Sequence, residues 1–540
     1  MNNIMNFMNR RTAKWFLLLC LSAFFSAEIS AQDFRIVKGD CLPTGLPETA
    51  TSQHAGGRHL LPAIRTNWDS TRIYRQLVVL ISYSDCDFNQ EDANAFYNDM
   101  LNTPGFNQRK GPGCLAEYFK EQSRGLFNVQ FDVYGPYQVD TKAQPYTNPD
   151  ENTRNYGRDV FTKAVNLFMQ EQETTNGAPF DFSPYDWNGD KNIEQVIFVV
   201  AGLCGNAGNN TYGYLWPNTS TMTTIQTADG YKISNYTASA EHWPTTNKAS
   251  CGFGTIAHEY THSLGLPDIY PTSSSAGFSV VDEWDLMDGG NFTNYGWCPP
   301  NYTPLERMLL GWLEPVELDS SATITGMKTL RDSGEVYRIK HSSSEWYLLE
   351  NRQQQGWDLG LPGRGLVIYH VNYDKSVWSG NKVNINSNKR RFELVHADNM
   401  DYDAWENQFK EMGVTSKYRN SGHMNNYYLS TSAYPLMGEG DTYVNNELTD
   451  TSVPAAQMHY PGDNEKDYLS KPITNIRMAD DGTISFDFMG GVSTAISTTT
   501  ANQSLLPVST FDLSGRVARP GAKGLLIERR QDGSVRKMIK

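Results

Sequence analysis

The chain has 540 residues and carries 46 Lys plus Arg against 60 Asp plus Glu, a formal charge of −14. That balance excludes nucleic acid or an anionic lipid surface as the main partner. Aromatic residues make up 12%, with 29 Tyr and 12 Trp, which excludes a mainly disordered chain.

Residues 1–31 read as a signal peptide. Arg10, Arg11 and Lys14 precede an apolar stretch from Trp15 to Ala27, and Ser30-Ala31 before Gln32 suits cleavage. The apolar stretch is too short to cross a membrane comfortably, and no later segment reaches the required length, so no membrane span is expected. The expected product is exported, either secreted or at the cell surface. What remains is long enough for about three domains.

Of seven cysteines, Cys20 lies in the leader; Cys41, Cys86, Cys114, Cys204, Cys251 and Cys298 remain. An even number in an exported chain permits disulfides, and Cys204 with Cys251 is the pair their positions favour. Residues 32–75 are turn-rich and form an N-terminal extension or short propeptide. Cys41 within it could cap a metal in a latent form, although an ordinary packed or paired cysteine is the stronger reading.

Residues 76–312 alternate strand and helix. Leu77 to Ile81 is a continuous β-branched run, hence a buried strand. Ala93, Phe96, Tyr97, Met100 and Leu101 share a helical stripe, and Leu115, Tyr118 and Phe119 mark a second helix. Phe127 to Val133 alternates as a half-buried strand. Val160 to Phe168 gives a third helix, and Gln195 to Ala201 a second buried strand. Between them, Asp186, Asn188, Asp190, Asn192 and Glu194 place oxygens at alternate positions, as a calcium loop does. Lys191 stands where that loop wants glycine and Ile197 where it wants a bidentate acid, so Ca2+ binding and a polar turn are both open readings.

The most informative stretch is His258-Glu259-Tyr260-Thr261-His262, continuing through Gly265 to Asp268. Residues four apart share a helix face, so His258 and His262 can offer two imidazoles to one metal ion. Glu259 is placed to act as general base. Gly265 is the expected helix stop. The return of the chain can bring Asp268 in as a third, oxygen ligand, leaving a fourth position open as catalytic zinc sites do. Met287, in Trp284-Asp285-Leu286-Met287-Asp288-Gly289-Gly290, has the setting of a Met-turn beneath such a metal. Tyr302 to Trp312 reads as a closing helix.

From 313 to 490 short strand-like pieces recur between turns, which suggests a β-rich, sandwich-like accessory domain. His396, Asp398, Asp401 and Asp403 could hold a cation, but a solvated acidic loop is the better reading. Residues 491–508 are a Ser/Thr/Ala-rich linker. Residues 509–540 form a small basic β tail.

On these residues the chain resembles the immune inhibitor A-like secreted metallopeptidases of the zincin and metzincin group. The resemblance rests on the sequence at 258–270, on Trp-Asp-Leu-Met at 284–287, on Ala201-Gly202 through Leu215-Trp216-Pro217, and on Gly311-Trp312-Leu313. Weaker echoes are Leu349-Glu350-Asn351-Arg352 and Gly365 to His370. It implies an α+β fold: a zincin-like catalytic domain with a mixed sheet and an active-site helix, then the β-rich module and the tail. It also implies a Zn2+-dependent endopeptidase with His258 and His262 as ligands, Glu259 as base, Asp268 as third ligand, and protein or peptide as substrate. An acidic ligand from further downstream would satisfy the same chemistry as Asp268. The tail resembles sorting domains read by type IX secretion machinery. Two other expectations stay in view: an adhesin or glycan-binding protein built on a zincin scaffold, and a zinc amidase acting on cell wall. Sequence gives no oligomeric state.

Overall fold

The computed structural model describes residues 61–143, 153–204, 215–243, 248–272, 280–411, 429–461, 467–491, 509–511, 523, 525–529 and 535–539. Residues 1–491 form one compact unit and 492–540 a second. The expected signal peptide, Cys41 and most of the expected N-terminal extension lie outside the described residues.

In chain order the first elements are β1 (Ile73–Ser82), α1 (Ala93–Asn102), α2 (Leu115–Gln122), β2 (Asn128–Gln138), α3 (Thr153–Asn176), β3 (Val196–Leu203), β4 (Asn218–Gln226), β5 (Lys232–His242), α4 (Gly254–Ser263) and α5 (Pro304–Leu309). The five strands form one sheet in the order β2-β1-β3-β5-β4. The first four are parallel, and only β4, on the edge, runs antiparallel to its neighbour.

Alternation along β1 decides how this sheet is covered. Val78 and Leu80 face one core with α1, α2 and α4. Leu77, Val79 and Ile81 face another with Val160, Phe161, Ala164 and Phe168 of α3. A strand buried on both faces needs no polar side, which is why 77–81 reads as an unbroken apolar run. The closing helix is shorter than its apolar pattern suggests, because Gly311 adopts φ +71° just beyond its end. Polar strands β4 and β5 gave no periodic signal.

The later elements are β6 (Val316–Glu317), β7 (Ala322–Met327), β8 (Tyr337–Lys340), β9 (Glu345–Arg352), β10 (Gly365–Asn372), α6 (Lys375–Ser379), β11 (Phe392–Leu394), α7 (Tyr402–Glu411), β12 (Leu436–Met437), β13 (Tyr443–Asn445), β14 (Ile473–Met478) and β15 (Ile484–Phe488). A second five-stranded sheet has the order β11-β10-β9-β8-β6, and a three-stranded one the order β14-β15-β7. Tyr347, Leu349, Leu366 and Ile368 face the small sheet through Ile484, Phe486 and Phe488. Trp346, Leu348, Val367 and Tyr369 face the other way, into the same core as α4. The composition changes at residue 313, but the hydrophobic core runs across that point.

The second unit is a three-stranded antiparallel sheet of β16 (Ser509–Phe511), β17 (Leu525–Arg529) and β18 (Val535–Ile539). Such a sheet by itself carries no information about an export route. The five described cysteines form no disulfide with one another. Cys204 and Cys251 do meet, as the sequence positions suggest, through a thiol hydrogen bond and not a disulfide.

Candidate active site

Helix α4 is buried from Gly254 through His262, so it runs through the core and not along the surface. Its start is pressed against the loop after the Met-turn. A Cβ on Gly254 would lie 2.1 Å from the Asn291 carbonyl oxygen, so only glycine fits there. Its end is set by Gly265 at φ +100°, where a side chain would also strike the Ile64 backbone at 2.6 Å. The sheet fixes the helix laterally. Gln195 Nε2 donates to Ser263 Oγ (2.6 Å), while Thr237 Oγ1 donates to Gln195 Oε1 (2.7 Å).

The two imidazoles meet nearly at right angles, with centroids 5.0 Å apart. His258 Nδ1 lies 2.8 Å from the Leu286 carbonyl oxygen, and His262 Nδ1 lies 2.8 Å from that of Leu266. A carbonyl only accepts, so each Nδ1 donates its hydrogen there and each Nε2 is the nitrogen turned toward Asp268. Both Nε2 atoms are 3.2 Å from one atom, Asp268 Oδ1, and Asp268 is fully buried. Burial pushes the His258 imidazole down, but the hydrogen bond with Asp268 and the Glu259 charge outweigh it and bring it up to about 9. Two imidazole nitrogens and one carboxylate oxygen around one point suit a divalent cation of the zinc type, which would take the place of the His258 proton. Glu259 follows the first histidine, only 7% exposed.

Residues 70–303 match the family model described as the immune inhibitor A peptidase M6 catalytic domain. Over those residues the chain is similar to an M6 metallopeptidase catalytic domain. Immune inhibitor A of Bacillus thuringiensis subsp. alesti is 25% identical over 288 residues, 45% of this chain and 41% of that protein. Pre-pro-metalloprotease PrtV of Vibrio cholerae is 21% identical over 249 residues, 42% of this chain and 26% of that protein. The chain thus spans less than half the length of these relatives.

The turn around Met287 orients the site through its backbone. Its Leu286 carbonyl orients His258, and the Met287 carbonyl accepts from Ile269 N–H at 2.8 Å, next to Asp268. Asp285 Oδ1 in turn accepts the Met287 N–H at 2.5 Å. The Asp285 carboxyl is raised well above its ordinary value by burial and by the neighbouring Glu306 charge, and Glu306 is pushed up to about 7, first by burial. Their remaining oxygens, Asp285 Oδ2 and Glu306 Oε1, are buried without a donor among the described residues, so a proton held between the two carboxyls is expected.

This proton has a measurable consequence. Both folded values lie above the unfolded ones, so the pair's stabilisation is full below the ordinary carboxyl range and is lost as pH rises from there, Glu306's share being gone once pH passes about 7. In Glu306→Gln the amide nitrogen supplies the hydrogen that the proton supplied. The stability decline of the natural chain, up to about 1.4 kcal/mol per pH unit, should therefore flatten in the variant. Urea midpoints between pH ~5 and ~8 check this; identical slopes in both proteins would refute the shared proton.

The oxygens at 186–194 accept hydrogen bonds from their own loop. Asp186 Oδ1 accepts from Gly189 and Asp190 N–H at 2.8 and 3.1 Å, and Asp190 Oδ1 accepts from Asn192 N–H at 2.8 Å. Asn188 Nδ2 reaches Asp190 Oδ2, while Glu194 pairs with Arg65 at 2.9 Å. These are Asx-turn bonds. In the acidic loop, Asp401 and Asp403 pair with Arg390, and His396 lies 3.9 Å from Asp398.

Glu345, His370 and His459 form a second His/carboxylate group among the described residues. Its chemistry is different. Both ring nitrogens of His370 are taken, by Glu345 at 2.8 Å and Glu393 at 3.1 Å, and His459 Nε2 is 2.6 Å from the Arg390 carbonyl. Burial lowers the His370 value, but the two carboxylates raise it to about 9. His370 is an imidazolium held between carboxylates, so it offers no lone pair to a cation.

Gln195 and Thr237 behind α4, Glu306 and Arg352 behind the Met-turn, and Asn381 beside Asp268 escaped the sequence reading. Gln195, a polar residue opening an apolar strand, and Arg352, in the echo at 349–352, left a trace in it.

Proposed function

We propose that the chain is an exported zinc-dependent endopeptidase. The observation that carries this is the pair of His258 and His262 Nε2 atoms, each 3.2 Å from Asp268 Oδ1. Zinc at that point would be held by His258, His262 and Asp268, and would supply Lewis acidity toward a water and the scissile carbonyl.

Glu259 takes the proton from the attacking water and passes it to the leaving amine. The Nδ1 bonds to Leu286 and Leu266 hold the imidazoles in the ligating tautomer. Met287 floors the site. The arrangement of a sheet, an antiparallel edge strand and a helix with the ligand histidines supports a zincin-like reading of residues 76–312. Strand β4 ends the sheet and is partly exposed, so its outer edge suits an extended peptide added as a further strand. This strand is what favours a polypeptide over glycan or cell-wall substrates. Residues 313–490 then complete the core behind the site.

The test is cleavage of casein by the purified protein, alongside metal analysis. One zinc per chain and loss of cleavage on treatment with a strong chelator, restored by added zinc, are expected. A chain that cleaves casein equally well with its metal stripped would overturn the proposal.

A further inference from the structure

Asp268 is held from a part of the chain far outside the matched 70–303 stretch. Asn381 follows α6, is 5% exposed, and has φ +53°. Its carboxamide is spent at both ends on one residue. Nδ2 donates to Asp268 Oδ2 at 2.7 Å, and Oδ1 accepts the Asp268 N–H at 2.7 Å. The loop is fastened on each side. Thr272 Oγ1 donates to the Asn381 carbonyl (2.8 Å), and Asn384 Nδ2 donates to the carbonyls of Ile269 and Phe392, both at 2.8 Å.

A carboxylate can turn about its Cβ–Cγ bond and offer either oxygen, or both, to a cation. Fixing Oδ2 on an amide leaves Oδ1 as the oxygen that faces His258 and His262. The Asn381 oxygen is turned onto the backbone, so it does not compete as a ligand. Aspartate here would bring a second carboxylate against Asp268 and lose the donor.

We propose that Asn381 is a positioning residue of the metal centre: it orients Asp268, so the region beyond residue 313 contributes to metal affinity as well as to packing. This rests on the reading of Asp268 as third ligand. Outer-shell partners of this kind are worth about 10–100-fold in metal affinity.

The experiment measures zinc affinity by competition with a chromophoric chelator, and the thermal midpoint of the chelator-treated protein, for the full chain and four variants. Glycine tolerates φ +53° without strain, so Asn381→Gly removes the carboxamide and spares the backbone. Asn381→Asp keeps the shape. Asn384→Ala removes a comparable set of bonds in the same loop, none of them to the Asp268 side chain. Both Asn381 variants should bind zinc about 10–100-fold more weakly, whereas Asn384→Ala should lower the midpoint and keep the natural affinity. Unchanged affinity in both Asn381 variants, or an equal loss in Asn384→Ala, overturns the proposal. Asp268→Ala separates the two levels. If it keeps natural affinity, the third-ligand reading itself fails; if it loses affinity while the Asn381 variants do not, only the role of Asn381 fails.

Discussion

Glu259→Gln should lower kcat for casein cleavage by about 10²–10⁴-fold, the usual worth of a positioned general base, and leave the metal bound. The amide keeps the size and hydrogen-bonding reach of the carboxylate but cannot accept a proton at neutral pH. The three candidate ligands are untouched, and Glu259 lies on a helix held by core packing at both ends. Metal content and thermal midpoint should therefore match the natural chain. A variant that keeps full turnover removes Glu259 from the chemistry. One that loses metal together with activity makes Glu259 part of the metal shell instead.

Arg352→Ala should destabilise the fold by about 3–5 kcal/mol, the cost of leaving buried acids without their counter-charge. Arg352 is 1% exposed and bonds Asp358 twice, at 2.8 and 2.6 Å. Its Nη1 also lies 3.3 Å from Glu350 and 3.5 Å from the Trp284 carbonyl, at the start of the Met-turn. Burial already raises the Glu350 carboxyl even with the guanidinium beside it. The urea midpoint should fall sharply, and neutralising the acids as well, by Glu350→Gln and Asp358→Asn in the same chain, should recover much of the loss. If Arg352→Ala unfolds at the natural midpoint, the buried ion pairs contribute little. Zinc affinity should fall with stability in this variant, because the turn that orients His258 rests on the same cluster.

These effects separate what local patterns convey from what they leave out. The pairing of His258 with His262 follows from one helical turn, and the return to Asp268 from a glycine at the helix end. Both are short-range geometry, so residue types and spacing were sufficient to place them together. Strand β1 and helices α1 and α2 were legible for the same reason, since their periodicity reports which faces are apolar. Strands β4 and β5 were not. Their Thr- and Ser-rich sequences carry no apolar alternation, and their pairing is decided by the sheet they join. The calcium-like spacing at 186–194 was legible as a pattern, but an Asx turn and a cation loop both demand oxygens there, and spacing cannot tell which donors they meet.

By itself, then, the sequence determined an acidic chain, a helix bearing two imidazoles and a carboxylate, and the turn that returns Asp268 toward them. The tertiary structure decided which groups stand behind them: the Asp285–Glu306 pair and Arg352 under the Met-turn, and Asn381 reaching Asp268 across 113 residues. The physical reason is range. Helix period and turn chemistry act over a few residues, whereas burial of a polar group is acceptable only beside a partner, and the chain's long-range closure selects that partner.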